Sequence, residues 1–432
     1  MALVKKMNHM SGIFRISHGL CLGGLIAFST AVCGQTTIKP QGGEFTIIGN
    51  VPGDQVWPSV SLNSTAGVID WQDNRVDKLG VQVGCALLDG SFAGSSRFRV
   101  NKTETGNHLQ PKVQLLANGN IIFIWQCAVS GVPGIYARFA KGTTTKTSSS
   151  YGTNFYTSDI RVNTYVGGDV SEPGVAALPD GSAILTWSSY GEDGSLYGVY
   201  ARKLKSTGAA SGAEFKVNQF TQGNQHHPAV AALANGNYII VWASENERGA
   251  NSVDIYGRIY TSAGVPLSDE LPINSGTSPC SSPSVAALMD GGFTVVWAQK
   301  DLIATTNGWD IWGRAFSPNG MPKASDFRVN TFLYGDQYQP KIATGPAASM
   351  VVWTSLGEDG SKEGVYARIL AAGTQPAGDE FRVNTTTLSQ QMHPAVAWDG
   401  VGHFLAVWTS FTGNTTYGFD LFGQLYSVTS SP

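Results

Sequence analysis

The feature that most constrains this 432-residue chain is a sevenfold repeat. A tryptophan closes an apolar, β-type run at Trp71, Trp125, Trp187, Trp242, Trp297, Trp353 and Trp408, at spacings of 54, 62, 55, 55, 56 and 55 residues. A Thr/Ser-rich insertion from Gly142 to Tyr151 accounts for the long interval. Two further markers keep the same beat. Phe-Arg-Val-Asn or a variant ends at Asn101, Asn163, Asn218, Asn274, Asn330 and Asn384. A proline opens an apolar run at Pro58, Pro111, Pro173, Pro228, Pro283, Pro340 and Pro394. Self-similarity at this period signals a stacked or radial repeat architecture.

Each unit reads as four short strands. In the fourth, Ala229 to Leu233 is followed by an Asn235-Gly236 hairpin signal, then Tyr238 to Trp242 and Asp254 to Tyr260. The fourth strand has the Phe-Arg-Val-Asn pattern. No segment shows helical periodicity, so the expected fold is all-β, a seven-bladed β-propeller of four-stranded antiparallel blades. Small residues in the Val-Ala-Ala-Leu strand suit a crowded inner position, and the Trp, with Tyr136, Tyr200, Tyr256, Trp312, Tyr366 and Phe422, supplies bulk where blades fan apart. The segment Glu44 to Ile48 carries the fourth-strand pattern before the first unit, and the last unit stops after its third strand, near Tyr426. The N-terminal strand is therefore expected to complete the last blade and remove an exposed edge.

The first 34 residues stand apart. Lys5, Lys6, Arg15 and His18 precede an apolar run, Gly19 to Val32, with a cleavage site expected after Gly34. This reads as a signal peptide over 1–34 and a propeller over 35–432, with repeats from about 43 to 426. The run is too short to span a bilayer. Cys33 raises a lipoprotein alternative, which Thr30-Ala31-Val32 before it does not fit. Charged residues make up only 14% of the chain and the net charge is −3, with no basic block, so neither nucleic acid nor an anionic membrane is an expected partner. Cys85, Cys127 and Cys280 have no metal-ligand spacing and read as isolated thiols.

The string Phe-Arg-Val-Asn-Thr, Gly-Asp-Gln, Pro, Val-Ala-Ala-Leu, Asp-Gly, Val-Val-Trp and Gly-Val-Tyr-Ala-Arg resembles repeats of bacterial secreted and surface proteins, from about Gly43 to Tyr426. The resemblance implies export and a propeller fold and brings no activity with it. The Asp box of sialidases, the calcium loops of integrin-type repeats and the Trp-Asp of WD repeats are absent.

Acid/base glycoside cleavage needs two carboxylates at a fixed separation. Read as starting at or just after each proline, the inner strands contain neither Asp nor Glu. His226 and His227 are adjacent, and neighbouring strand residues ordinarily point apart, so no metal site is expected; His393 matches His227 in its unit. These readings favour a monomeric, non-catalytic binding propeller, without cofactor or metal, that recognises a glycan or a protein surface. A structural scaffold and a loop-built carbohydrate-active enzyme are the alternatives. Candidate ligand contacts are the unmatched aromatics Trp57, Tyr190, Trp309 and Tyr338, with Asp54, Asp169 and Asp336 in the loops before the inner strands. Asn107 and Asn224 match those aspartates, which by type also cap turns. The recurring Arg138, Arg202, Arg258, Arg314 and Arg368 are expected to bond blade to blade.

Overall fold

In a computed structural model, residues 36–65, 67–74, 80–142, 155–303, 307–413 and 418–430 are described. The signal segment, and the insertion from 143 onward, lie outside them. Seven four-stranded antiparallel sheets form the blades of a propeller. The inner strands are Asp54–Leu62, His108–Leu115, Val170–Ala177, Gln225–Ala232, Cys280–Ala287, Gln337–Thr344 and Gln391–Trp398. Among the described residues no helix is long and apolar enough to cross a membrane, and Cys85, Cys127 and Cys280 are free, buried thiols.

Bulk between the blades comes from the repeating tryptophans. All seven are at most 1% exposed. In six blades the residue directly across the ladder is the aromatic of the third strand, as in Trp242 opposite Tyr256 and Trp297 opposite Trp312. Blade 1 has Gly84 opposite Trp71, where an added Cβ would fall 2.3 Å from the indole. Each tryptophan is buried in a core shared with the preceding blade, so no blade completes its core alone.

Three polar devices explain the other markers. The marker asparagine accepts the backbone N–H of the third strand through Oδ1 at 2.7–2.9 Å in six blades, as Asn218 does from Val199 and Asn330 from Ile311. Its amide nitrogen donates to the carbonyl two residues on, as from Asn384 to Thr386. These bonds hold a fourth strand that pairs over only two residues in blades 2 to 5. The arginines do bond blade to blade: Arg138, Arg202, Arg258, Arg314 and Arg368 donate to carbonyls of Val100, Val162, Val217, Ile273 and Val329 in the preceding blade, at 2.5–3.1 Å. Finally, in blades 2 to 7 a carboxylate at or just before the outer strand accepts the N–H that follows the preceding blade's asparagine. Asp159, Glu214, Glu270, Asp326 and Glu380 do so for blades 2 to 6.

Closure uses the same parts. The N-terminal strand, Thr36–Thr46, pairs with Phe419–Ser430 as the outer strand of blade 7. It starts earlier than the sequence pattern suggests, and Glu44 supplies the sixth carboxylate, accepting the Thr385 N–H of blade 6 at 2.6 Å.

Replacing Trp353 by Ala, which empties a site in the core between blades 5 and 6, should lower the unfolding free energy by about 3–5 kcal/mol, read from the denaturant midpoint. Glu44→Ala should cost about 1 kcal/mol, whereas deleting residues 36–46 should cost several times more, because it unpairs a whole strand and opens the ring. A deletion mutant that melts with Glu44→Ala would rule out that account of closure.

Candidate functional site

The site arises from one irregularity repeated seven times. Proline has no N–H to give a ladder, so inside a sheet it is confined to edges and bulges. Every inner strand here carries its proline at a bulge, between Val56 and Ser59, Leu109 and Lys112, Ser171 and Gly174, His226 and Ala229, Ser281 and Ser284, Tyr338 and Lys341, and Met392 and Ala395. The residue before each proline takes a left-handed backbone: Trp57, Gln110, Glu172, His227, Ser282, Gln339 and His393 all have φ between 50° and 59°. For non-glycine residues this costs on the order of 1–3 kcal/mol each and persists only where the surroundings over-determine it. Six of them, Trp57, Gln110, Glu172, His227, Ser282 and Gln339, line a common cavity of about 330 Å³ in the central channel, and the seventh, His393, stacks on Trp57. The proline is the same in every blade and the residue before it varies, so the scaffold presents seven spokes of differing chemistry.

Neighbouring spokes are linked through their backbones. Gln72 Oε1 accepts the N–H of Gln110 at 2.7 Å, Gln110 Oε1 that of Glu172 at 3.0 Å, and Glu172 Oε2 that of His227 at 2.6 Å. Glu172 Oε2 also accepts from Ser188 Oγ at 2.7 Å, and Oε1 lies 2.8 Å from His227 Nε2. Burial pushes the Glu172 carboxyl up, but hydrogen bonds and charge from His227, with help from Ser188, outweigh it and hold the group down at about 2. Across the channel the His393 ring stacks on Trp57, with centroids 3.8 Å apart and planes inclined by 19°. Burial, then the charges of Lys112 and Lys341, lowers His393 to about 4, so its imidazole is neutral at neutral pH.

Lys112 and Lys341 follow the prolines of blades 2 and 6 and line the same cavity. Burial and the repulsion of Lys112 push Lys341 down to about 8. Lys112 is also lowered by burial, but Asp70 behind it opposes the shift. The pair therefore differs in the charge each ammonium sees, an opposing Asp70 for Lys112 and a repelling Lys112 for Lys341. His227 Nδ1, His393 Nδ1 and Gln339 Oε1 have no hydrogen-bond partner. A polar atom left so inside a protein is costly unless something else engages it.

Of the seven residues singled out in the sequence, Trp57 faces this cavity. The others lie outside its lining. Asp54 and Asp336 accept the N–H of Phe419 and Trp309 at 3.2 and 3.1 Å, and Asp169 accepts the Tyr197 hydroxyl at 3.1 Å. Asn107 and Asn224 bind Val81 N–H and Tyr197 N–H in the same way. Tyr190 is exposed and meets Tyr197 edge-on at 5.2 Å. Trp309 packs on the core between blades 5 and 6, and Tyr338 is half-buried, its hydroxyl pushed up to about 12 by burial with Glu363 and Asp336 nearby. A separate cavity of about 390 Å³ lies among hairpins of blades 7, 1 and 2, where Asp399 Oδ2 meets His403 Nδ1 at 2.7 Å.

Two expectations are corrected here. The inner strands do hold a carboxylate: the bulge lets pairing continue on the N-terminal side of the proline, so the third inner strand begins at Val170 and includes Glu172. The adjacent histidines do not point apart either, because His227 is looped out at φ 54°; the two rings lie 4.4 Å apart, on the same side as Glu172. The signal for these residues was the position before each proline, read across the seven units.

No family model and no curated protein matches the chain. Solved structures similar to it include a protein of unknown function from Dyadobacter fermentans, at 12% identity and a TM-score of 0.53, covering 91% of this chain and 99% of that one. The polysaccharide lyase Uly1 is similar at 10% identity and a TM-score of 0.54, over 87% of this chain and 90% of the lyase. A PL25 ulvan lyase is similar at 10% identity and a TM-score of 0.56, over 87% and 94%. At these identities the likeness is one of fold. Two of the three are enzymes, so the architecture gives no ground for excluding catalysis; with Glu172 on the channel wall, the expectation of a non-catalytic protein is overturned.

Proposed function

We propose that the central channel binds an acidic polysaccharide and cleaves it by β-elimination. The observation that carries this reading is the pair Lys112 and Lys341 inside a ring of seven strained spokes. Two lysines and one histidine, His227, against one carboxylate, Glu172, make a lining suited to a uronate rather than to a neutral sugar. Hydrolysis by paired carboxylates needs a second acid facing the first, and Glu172 is the one Asp or Glu among the described residues of the lining. The flat Trp57–His393 stack offers a face for a sugar ring. Similarity of fold to two polysaccharide lyases supports the same class, and the basic and apolar leader over 1–34 supports export to where such polymers occur.

In this reading Lys112 faces the uronate carboxylate and offsets the charge that builds as the C5–H bond breaks. The neutral Lys341 amine takes that proton. The C4–C5 double bond forms, the C4–O bond breaks, and the Lys341 ammonium returns the proton to the departing oxygen, so no water is consumed.

Assays on ulvan, alginate and pectate, with arabinan as the neutral control, should show new ultraviolet absorbance from unsaturated uronyl ends on an acidic polymer only. Lys341→Met should lower kcat by roughly 10²–10⁴-fold. Absence of turnover on every acidic polymer, reducing ends without the absorbance, or full activity in Lys341→Met would each refute the proposal.

The pH profile supplies an independent check. The base is the neutral amine, so kcat/KM should rise with pH and level off above about 8, the value to which burial and Lys112 lower Lys341. Lys112→Met removes the repelling cation, which should move that limb to higher pH. A limb that stays in place, or a rate that falls through this range, contradicts the assignment.

A further inference from the structure

We propose that Glu172, His226 and His227 form a binding site for a divalent transition cation of the zinc class on the channel wall. The site stands on ligand geometry and does not depend on the elimination reaction. One donor atom from each residue lies within 4.8 Å of the other two. Ligands of a tetrahedral zinc sit about 3.3 Å apart at bond lengths near 2.0–2.1 Å, so side-chain rotations of about 1 Å close the set. Two imidazoles and one carboxylate, with the remaining side open, match the donor set of zinc centres that keep a free position. Calcium and magnesium want six or more oxygens and find one carboxylate here.

The surroundings prepare these donors. Glu172 Oε2 is already held by Ser188 Oγ and the His227 N–H, which aims Oε1 at the imidazole. His226 Nε2 lies 3.8 Å from Glu245 Oε1, and Glu245 Oε2 is fixed by the Asn224 amide at 2.8 Å. A carboxylate beside a ligating imidazole is the usual second layer of such a site. His227 has one ring nitrogen bonded only to Glu172 and another, Nδ1, with no partner. All three side chains keep partial exposure, at 20%, 22% and 40% for Glu172, His226 and His227, so an ion can enter from the channel. Two neighbours in sequence converge because the bulge turns His227 out of the strand's alternation. The sixth spoke, Gln339, follows Tyr338, and the seventh, His393, follows Met392; blade 4 alone pairs two histidines.

Calorimetric titration of the chelator-treated protein with zinc chloride should show one equivalent bound. Glu172→Gln and His226→Ala should each weaken it by roughly 10–100-fold, and Gln339→Ala, the matching spoke of blade 6, should leave it unchanged. Glu172→Gln keeps an acceptor for the His227 N–H, and circular dichroism and melting curves check that each variant is folded. Cobalt(II) should give the intense visible bands of a four-coordinate ion, lost in His227→Ala. Absence of stoichiometric zinc uptake, uptake that survives in the His226→Ala/His227→Ala double variant, or tighter binding of calcium than of zinc would overturn the proposal. Zinc uptake without polysaccharide turnover sinks only the elimination reading, and turnover without zinc uptake sinks only this one.

Discussion

Pairing of the two chain ends is the interaction on which the rest of the molecule depends. Blade 7 has its fourth, outer strand only because Thr36–Thr46 returns to the strand Phe419–Ser430. Without it the C-terminal strand would be an open edge, and the carboxylate that Glu44 contributes to blade 6 would be lost. A ring also sets a common radius. Each inner strand is held against two neighbours, and each tryptophan is buried only while the preceding blade stays in place. The stability of one blade is therefore a property of all seven. An open array of the same repeats would instead sum separate units and their neighbour contacts.

That rigidity is what allows the strained spokes. Seven non-glycine residues in left-handed conformation would relax in a flexible loop. Here each is fixed by its proline, by ladder pairing on both sides of the bulge and, in blades 2 to 4, by a side chain from the blade before, Gln72 for blade 2 and the preceding spoke for blades 3 and 4. The outcome is a polar lumen beside apolar cores between the blades. Lys112, Lys341, Glu172 and the histidines sit close enough to shift one another, so their chemistry belongs to the set. Elimination and metal binding use opposite sides of this lumen: Lys341 lies in blade 6, and the Glu172–histidine cluster spans blades 3 and 4.

Much of the architecture was legible because it repeats. The tryptophans, the Asn-ended markers and the prolines each answer a local need that recurs in every blade. A bulky residue fills a widening wedge, an amide holds a short outer strand, and a residue without an N–H marks the bulge. The arginines were legible for the same reason. Glu172 was missed because the strand was read as beginning at its proline, although the two-residue bulge carries pairing past it. The histidine pair was misread because strict alternation assumes a regular strand, and His227 sits where the strand is not regular. Asp54, Asp169 and Asp336 stand near functional side chains in sequence, but their carboxylates are used by backbone N–H groups and a tyrosine hydroxyl.

The sequence by itself determined the number of blades, the order of strands and the partner of the N-terminal strand. Those follow from hydrophobic periodicity and from turn and marker residues, which act over a few positions and are written seven times. Only the tertiary structure decided which side chains meet. Trp57 and His393 are 336 positions apart in the chain and stack at 3.8 Å; Lys112 and Lys341 share a cavity across the ring. Convergence at a channel axis depends on ring closure and on the backbone twist at each bulge. Both are properties of the whole sheet assembly, and no local run of residues encodes the distance between two spokes.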